Sequence, residues 1–383
     1  MRSGVQVLCV WVGAATIAHA QVEAVWLTSQ CGTPERTVVS WKSARPGPSV
    51  VAYGADATCA SAATADETGV VHHVEIPTPV RGGTVFYRAE TGAQKSETLS
   101  FQTCPESGVR VAVVGDWGYA NRPDLTGLKA YRPHVLVTAG DNVGHIVSKS
   151  RPGDKANIEP FVGLVRSEQA LFAATLFMPT LGNHDKQVGE RGKLRPAPGA
   201  AVYDVDATAY LQMFALPAPG WRWAFSVPQA DALFLSLDLE HVSDLGTGWQ
   251  TCHDYRAGSD QYRWYDEQTS RSRAAYVVTL LNERSSCRAL EKGAWGRMFE
   301  RGTLAITGFG YFAERAVETN GFSYYNTCVA KPGDTYRDAK SAVFESCANY
   351  MLLTFGGEKD GLTVELKRMD GTVIDRQSYA RRK

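Results

Sequence analysis

The chain has 383 residues, with 40 basic and 40 acidic side chains and a formal net charge of zero. That balance excludes the basic footprint that nucleic-acid or anionic-membrane binding needs. The length corresponds to two domains at about 150 residues each.

Residues 1–20, MRSGVQVLCVWVGAATIAHA, carry one Arg, then an apolar stretch, and close on Ala18-His19-Ala20. The small-x-small ending predicts a signal peptide cut after Ala20. The alternative is a membrane anchor, which needs about 20 apolar residues; this stretch is shorter. With no other long apolar segment, the expected product is exported and not membrane-inserted: extracellular, periplasmic or in a vacuolar-type lumen. An oxidising compartment favours disulfides. Proximity pairs Cys31 with Cys59, Cys252 with Cys287 and Cys328 with Cys347, leaving Cys104 over. No CxxC occurs, which argues against a zinc knuckle.

Residues 21–104 read as an all-β sandwich of fibronectin type III style. The runs VEAVWLT, RTVVSWKS, SVVAYG, HHVEIP, TVFYRAET and SETLSFQT are short, β-branched and aromatic, with Gly, Pro, Ser and Asp between them. His72-His73 reads as a strand pair. Cys104 to Gly108 reads as a linker. A second domain, 109–383, then begins with a different texture. VRVAVVGD, HVLVTAGD and TLFMPTLGNHD are nearly continuous apolar runs, the mark of strands buried on both faces. DLTGLKAYR and EPFVGLVRSEQALFAA have helical spacing between them, so the core is α/β. DALFLSLDLE, AAYVVTLL and TLAITGFGYF are further strands, with helices at QYRWYDEQTSRSRA and EKGAWGRMFERG. The tail alternates as β structure with Asp-Gly turns at 360–361 and 370–371.

Three strands end alike: VVGD at Asp116, TAGD at Asp141, and TLGNHD at Asn183, His184 and Asp185. Ligands of open α/β sheets gather at such ends. Carboxylate, amide and imidazole suit Mn, Fe, Zn or Mg. Gly153-Asp154 and Gly333-Asp334 follow no strand and read as plain turns.

GDWG at 115–118, GDNV at 140–143 and GNHD at 182–185 resemble the first three motifs of the calcineurin-like metallophosphoesterases. With the preceding β-sandwich, the chain is most similar to the purple acid phosphatases. The resemblance implies a four-layer α/β (α+β) domain, two mixed sheets flanked by helices, that hydrolyses phosphomonoesters with a pair of metal ions. It implies that Asp116 holds one ion, Asp141 bridges both and Asn183 holds the second. By the same resemblance His184 contacts the phosphate and Asp185 orients His184.

Other family positions differ. Gly144 stands for the tyrosine of the second motif, with His145 beside it. The histidine of the fourth motif falls near Asn282, or on Leu280 or Leu281 if the register slips. Phe309 and Tyr311 replace the two histidines of GHxH. Asn282, Tyr311 and His145 are therefore substitute-ligand candidates; His241, His253, Asp238 and Glu240 are further loop residues that could reach the cleft, although solvated loops are the plainer reading. The expected cofactor is Fe, Zn, Mn or Mg, or no metal at all, and Gly144 in the tyrosine's place predicts a colourless protein. The aromatic stretch Trp249, His253, Tyr255, Tyr262, Trp264 and Tyr265 reads first as core cover and second as a sugar or nucleoside surface. Ser285-Ser286 lacks a GxSxG context, and Walker-A and Rossmann glycine patterns do not occur. Three functions follow: a degraded phosphatase that binds a small phosphorylated molecule or phosphoprotein, an active phosphatase with one metal or substitute ligands, or a secreted interaction module with an idle cleft.

Overall fold

The structure, a computed structural model, describes residues 22–382 except 67, 79–80, 197–201, 331–332 and 357–360. The leader at 1–20 and the first residue of the turn at 360–361 lie outside the described residues. In the N-terminal stretch the strands are β1 (Ala24–Thr28), β2 (Arg36–Lys42), β3 (Ser49–Gly54), β4 (Ser61–Ala65), β5 (Val71–Pro77), β6 (Thr84–Thr91), β7 (Gln94–Lys95) and β8 (Leu99–Gln102). There follow β9 (Val109–Val114), α1 (Thr126–Ala130), β10 (Val135–Thr138), α2 (Glu159–Ser167), α3 (Gln169–Phe172), β11 (Leu176–Met178) and α4 (Thr208–Met213). The last third contains β12 (Trp223–Val227), β13 (Ala232–Ser236), α5 (Asp260–Arg271), β14 (Tyr276–Leu281), α6 (Leu290–Phe299), β15 (Leu304–Thr307), β16 (Ala313–Val317), β17 (Ser323–Asn326), β18 (Ser341–Glu345), β19 (Asn349–Phe355), β20 (Leu362–Arg368) and β21 (Val373–Tyr379).

Two mixed sheets face each other, as the apolar runs predict. The nine-stranded sheet runs β21-β20-β19-β9-β10-β11-β1-β2-β5, and the seven-stranded sheet runs β12-β13-β14-β15-β17-β16-β18. The β9, β10 and β11 strands are parallel, as are β13, β14, β15 and β17, so their carboxyl ends emerge together. The main core fills the space between the sheets and includes Phe161, Val162, Val165 and Phe172 of α2 and α3. A second cluster, with Tyr265, Trp295 and Phe299, lies under α5 and α6. That makes four layers. Tyr265 stacks on Trp295, with Tyr262 edge-on to the same indole, so this part of the aromatic stretch is core cover. Ser259 starts α5 by accepting a hydrogen bond from the Tyr262 amide at 3.3 Å.

The N-terminal strands form the expected β-sandwich, but half of it belongs to the large sheet. β1 pairs in parallel with β11, with Leu27 opposite Leu176. The other half is the smaller sheet of β3, β4, β6, β7 and β8. Trp41 is fully buried between the halves; it stacks on His72 at 4.7 Å and donates to Thr91 Oγ1 at 2.8 Å. Losing an indole in such a place costs about 3–5 kcal/mol. Tyr87 reaches out of the small sheet and donates to the carbonyl of Ala173 at 2.7 Å.

The seven described cysteines are free thiols, a correction to the proximity pairing. The Cys328 sulfur bonds to the Asp116 carboxyl and accepts from the Ala330 amide at 3.3 Å. His72 and His73 form the expected strand pair, with His73 bonded to Ser40 and to the carbonyl of Gln212. No helix of the described residues is long and apolar enough to cross a membrane.

Two buried histidines make the fold sensitive to acid. His72 lies between the Ser43 and Ser49 hydroxyls, each at 2.8 Å. His134 accepts a hydrogen bond at Nδ1 from the Arg110 amide at 3.0 Å, which only the neutral ring can do at that nitrogen. Burial holds both near 4, helped at His134 by Arg110 and Arg132, against about 6.5 in an unfolded chain. The unfolded chain therefore binds protons first. Their contribution is complete above about pH 6.5 and is lost as pH falls through about 4. Melting temperature should fall between pH 7 and 4, and the double variant His72→Asn/His134→Asn should flatten that slope. An unchanged slope would refute the assignment.

Candidate functional site

The site forms where the parallel strands end. β9 leads into Gly115-Asp116, β10 into Gly140-Asp141, and β11 into Gly182-Asn183-His184. Asp116 and Asp141 have left-handed backbones, with φ of 49° and 52°, a conformation that costs a non-glycine residue about 1–2 kcal/mol. The surrounding contacts hold them there. The Gly118 amide donates to the Asp141 carbonyl at 2.9 Å, and the His184 amide to Asp141 Oδ1 at 3.0 Å. A side chain at Gly182 would put Cβ 2.2 Å from the Asp141 nitrogen, so only glycine lets these two turns meet.

Asp116 and Asp141 are buried side by side with their carboxyls hydrogen-bonded. Burial, then the Asp141 charge, lifts Asp116 well above the usual carboxylate range. Asp185 is fully buried. Its oxygens accept from Gly182 N at 2.9 Å, Asn142 Nδ2 at 2.8 Å and Val143 N at 3.1 Å. Burial and Asp141 push its carboxyl up to about 8 against those three donors. Asp185 thus ties the second-motif loop to the third. The partner of the His184 ring is Tyr119, whose hydroxyl lies 2.7 Å from Nε2 and 2.9 Å from Nδ1.

Above this floor lies an open cleft of about 680 Å³, lined in part by Tyr119, His145, Asn183, His184, Arg191 and His241. Arg191 pairs with Asp244 at 3.0 Å and packs over Trp249 at 4.6 Å. His241 is held below its ordinary pKa by burial, then by Arg191.

No protein-family model matches the sequence, and no curated protein matches it. Solved structures do match. A purple acid phosphatase from yellow lupin (Lupinus luteus) seeds superposes with a TM-score of 0.70 at 13% identity, over 93% of this chain and 74% of that one. The structure of PhoD superposes with a TM-score of 0.65 at 13% identity, over 94% of this chain and 92% of that one. This is the calcineurin-like metallophosphoesterase fold.

Within that fold the donor set does not fit a pair of metal ions. Gly144 packs against Gly118, so the second motif brings no phenol. The Phe309 ring packs 6.0 Å from the His241 ring, and the Arg284 guanidinium sits 5.1 Å over it. Tyr311 lies beside Tyr119, with ring centroids 5.9 Å apart. Burial, then Asp116, raises its phenol above the ordinary value, which opposes a phenolate. Among the described residues no three His, Cys, Asp or Glu side chains gather as a metal cage. Catalytic zinc sites of this kind hold about three protein ligands per ion.

Three of the loop residues are engaged elsewhere. Lys186 is fully buried and pairs with Asp238 at 2.6 Å and with Glu240. His253 Nδ1 lies 2.5 Å from Asp238, and its ring stacks on Trp221. Lys186 and His253 outweigh burial and hold Asp238 below the carboxylate range, while burial and Asp238 raise Glu240. His145 is exposed on the cleft rim.

The sequence reading missed Tyr119, Lys186, Arg191 and Cys328. Tyr119 and Lys186 directly follow GDWG and GNHD, so their adjacency was a usable signal. Arg191 and Cys328 had none. Asp185→Ala should leave two amides and the Asn142 side chain without their acceptor, a loss on the order of 3 kcal/mol. Urea unfolding checks this. Tyr119→Phe keeps the buried contacts and should change stability by less than about 0.5 kcal/mol.

Proposed function

We propose that the chain is a purple acid phosphatase-like protein with an eroded two-ion centre, which binds a small phosphorylated molecule or a phosphoprotein segment and hydrolyses it weakly or not at all. One observation carries this reading: Asn282, Phe309 and Tyr311 stand where the sequence resemblance calls for imidazoles, over a hydrogen-bonded Asp116–Asp141 pair. Two-ion phosphoester hydrolysis needs cations that clamp both the attacking and leaving oxygens, and that donor set is too poor. The cleft wall supports anion binding. Arg191, His145, His184 and His241 present cationic or donor groups, with the Tyr119 hydroxyl among them. The leader pattern at 1–20 supports export, and the change of texture near residue 105 supports a division into 21–104 and 109–383.

Phenyl phosphate should raise the melting temperature in chelator, and Arg191→Ala should weaken that binding about tenfold, the worth of one charge-assisted contact. Turnover of 4-nitrophenyl phosphate should stay far below the 1–1000 per second typical of enzymes. Rapid turnover abolished by Asp141→Asn would defeat the proposal.

A further inference from the structure

We propose that a second hollow, behind the Phe309 ring, binds a small monocarboxylate on Arg284. The inference stands apart from the reading of the cleft as a phosphate-ester site.

The loop that follows β14 and the segment that precedes β18 enclose a cavity of about 120 Å3. Arg284, Thr307, Glu314, Tyr336, Arg337 and Asp338 are among its lining residues. That volume is about four water molecules at roughly 30 Å3 each, which suits an acetate-sized guest. No residue lines both this hollow and the cleft of His184 and Arg191.

Arg284 supplies the first observation. Its guanidinium lies 5.1 Å from the Phe309 ring and 5.1 Å from the Tyr336 ring. Ring contact steadies the charge but uses none of its N–H donors. Nε is buried and has no hydrogen-bond partner. Among the described residues no carboxylate forms an ion pair with this side chain.

Arg337 supplies the second. It lies 5.9 Å from the Phe344 ring and likewise has no ion pair among the described residues. Two arginines without acid partners thus line one small cavity.

The acids in the same wall are already engaged. Asp338 takes Arg288 at 2.6 Å and the Ser285 hydroxyl at 2.5 Å. Glu314 Oε1 accepts from the Asp338 amide at 2.8 Å, and burial raises its carboxyl. The Thr307 hydroxyl is spent on the Tyr325 carbonyl and on Asn326. The donors left over belong to guanidinium groups, so the guest is an anion. A guanidinium edge matches the two oxygens of a planar carboxylate. A phosphate dianion would meet twice the repulsion from Glu314 and Asp338, so the single charge is favoured.

Calorimetric titration of the full chain with sodium acetate tests this. The expected result is one acetate per chain with a Kd of about 1 mM or tighter, within the limit for so few atoms. Arg284→Gln should weaken binding about tenfold or more, the loss of a charge-assisted pair. Arg337→Gln should weaken it about two- to fivefold, as an exposed charge does. Arg301→Gln, an exposed arginine elsewhere, should bind as the wild type. Melting temperatures within about 2 °C of the wild type show that the variants fold; if Arg284→Gln melts lower, Arg337→Gln decides alone. Saturating phenyl phosphate should leave acetate binding in place. No binding at high millimolar acetate, undiminished binding in the folded variants, tighter binding of inorganic phosphate at Arg284, or displacement of acetate by phenyl phosphate would overturn the inference. If acetate binds as stated and phenyl phosphate never binds, only the phosphate-ester reading of the cleft falls.

Discussion

The site depends on how closely two sheets bring their strand ends together. The approach is backbone to backbone. A side-chain carbon at Gly308 would lie 2.3 Å from the Ala139 carbonyl oxygen, and one at Gly115 would lie 2.2 Å from that of Thr327. Glycine at these places lets the chain pass without a Cβ, and the cleft floor is the result. The interlock explains why Asp116 and Asp141 end buried, adjacent and in a strained backbone region. Their positions are fixed by the sheets.

Charge at this floor is handled in two ways a few residues apart. Asp116 and Asp141 face each other with their carboxyls hydrogen-bonded, and the Cys328 thiol bonds to Asp116 as well. The second group, behind GNHD, has its own cation: Lys186 sits between Asp238 and Glu240. Breaking one arm of such a buried group costs about 3–5 kcal/mol, because a charge is left alone. The loop that carries Asn183 and His184 is therefore pinned from below by Lys186 and Asp185. The cleft keeps its shape through internal ion pairs and hydrogen bonds.

Much of the fold was legible in the chain. Doubly buried strands appear as unbroken apolar runs, and β9, β10 and β11 could be read from VRVAVVGD, HVLVTAGD and TLFMPTLGNHD. The glycine-carboxylate endings marked the site for the same reason. What spacing could not give was partnership across long separations. Cys328 looked like half of a disulfide until its sulfur was found on Asp116. Asp185 looked like a support for His184, yet its oxygens hold Gly182, Asn142 and Val143, and Tyr119 is what touches the imidazole. Asp238 and Glu240 looked free until Lys186 appeared between them. Each case turns on which of several nearby polar groups lies within 3 Å, and no periodicity encodes that.

The pairing of β1 with β11 has a consequence for biosynthesis. β1 leaves the ribosome early, but its parallel neighbour is made about 150 residues later, roughly 10–30 seconds at ordinary elongation rates. For that interval the first strand has β2 on one flank and an open edge on the other, and an open edge recruits other chains. A nascent chain of this kind gains from being kept extended until its middle third has been translated. Holding chaperones and export in an unfolded state both do that.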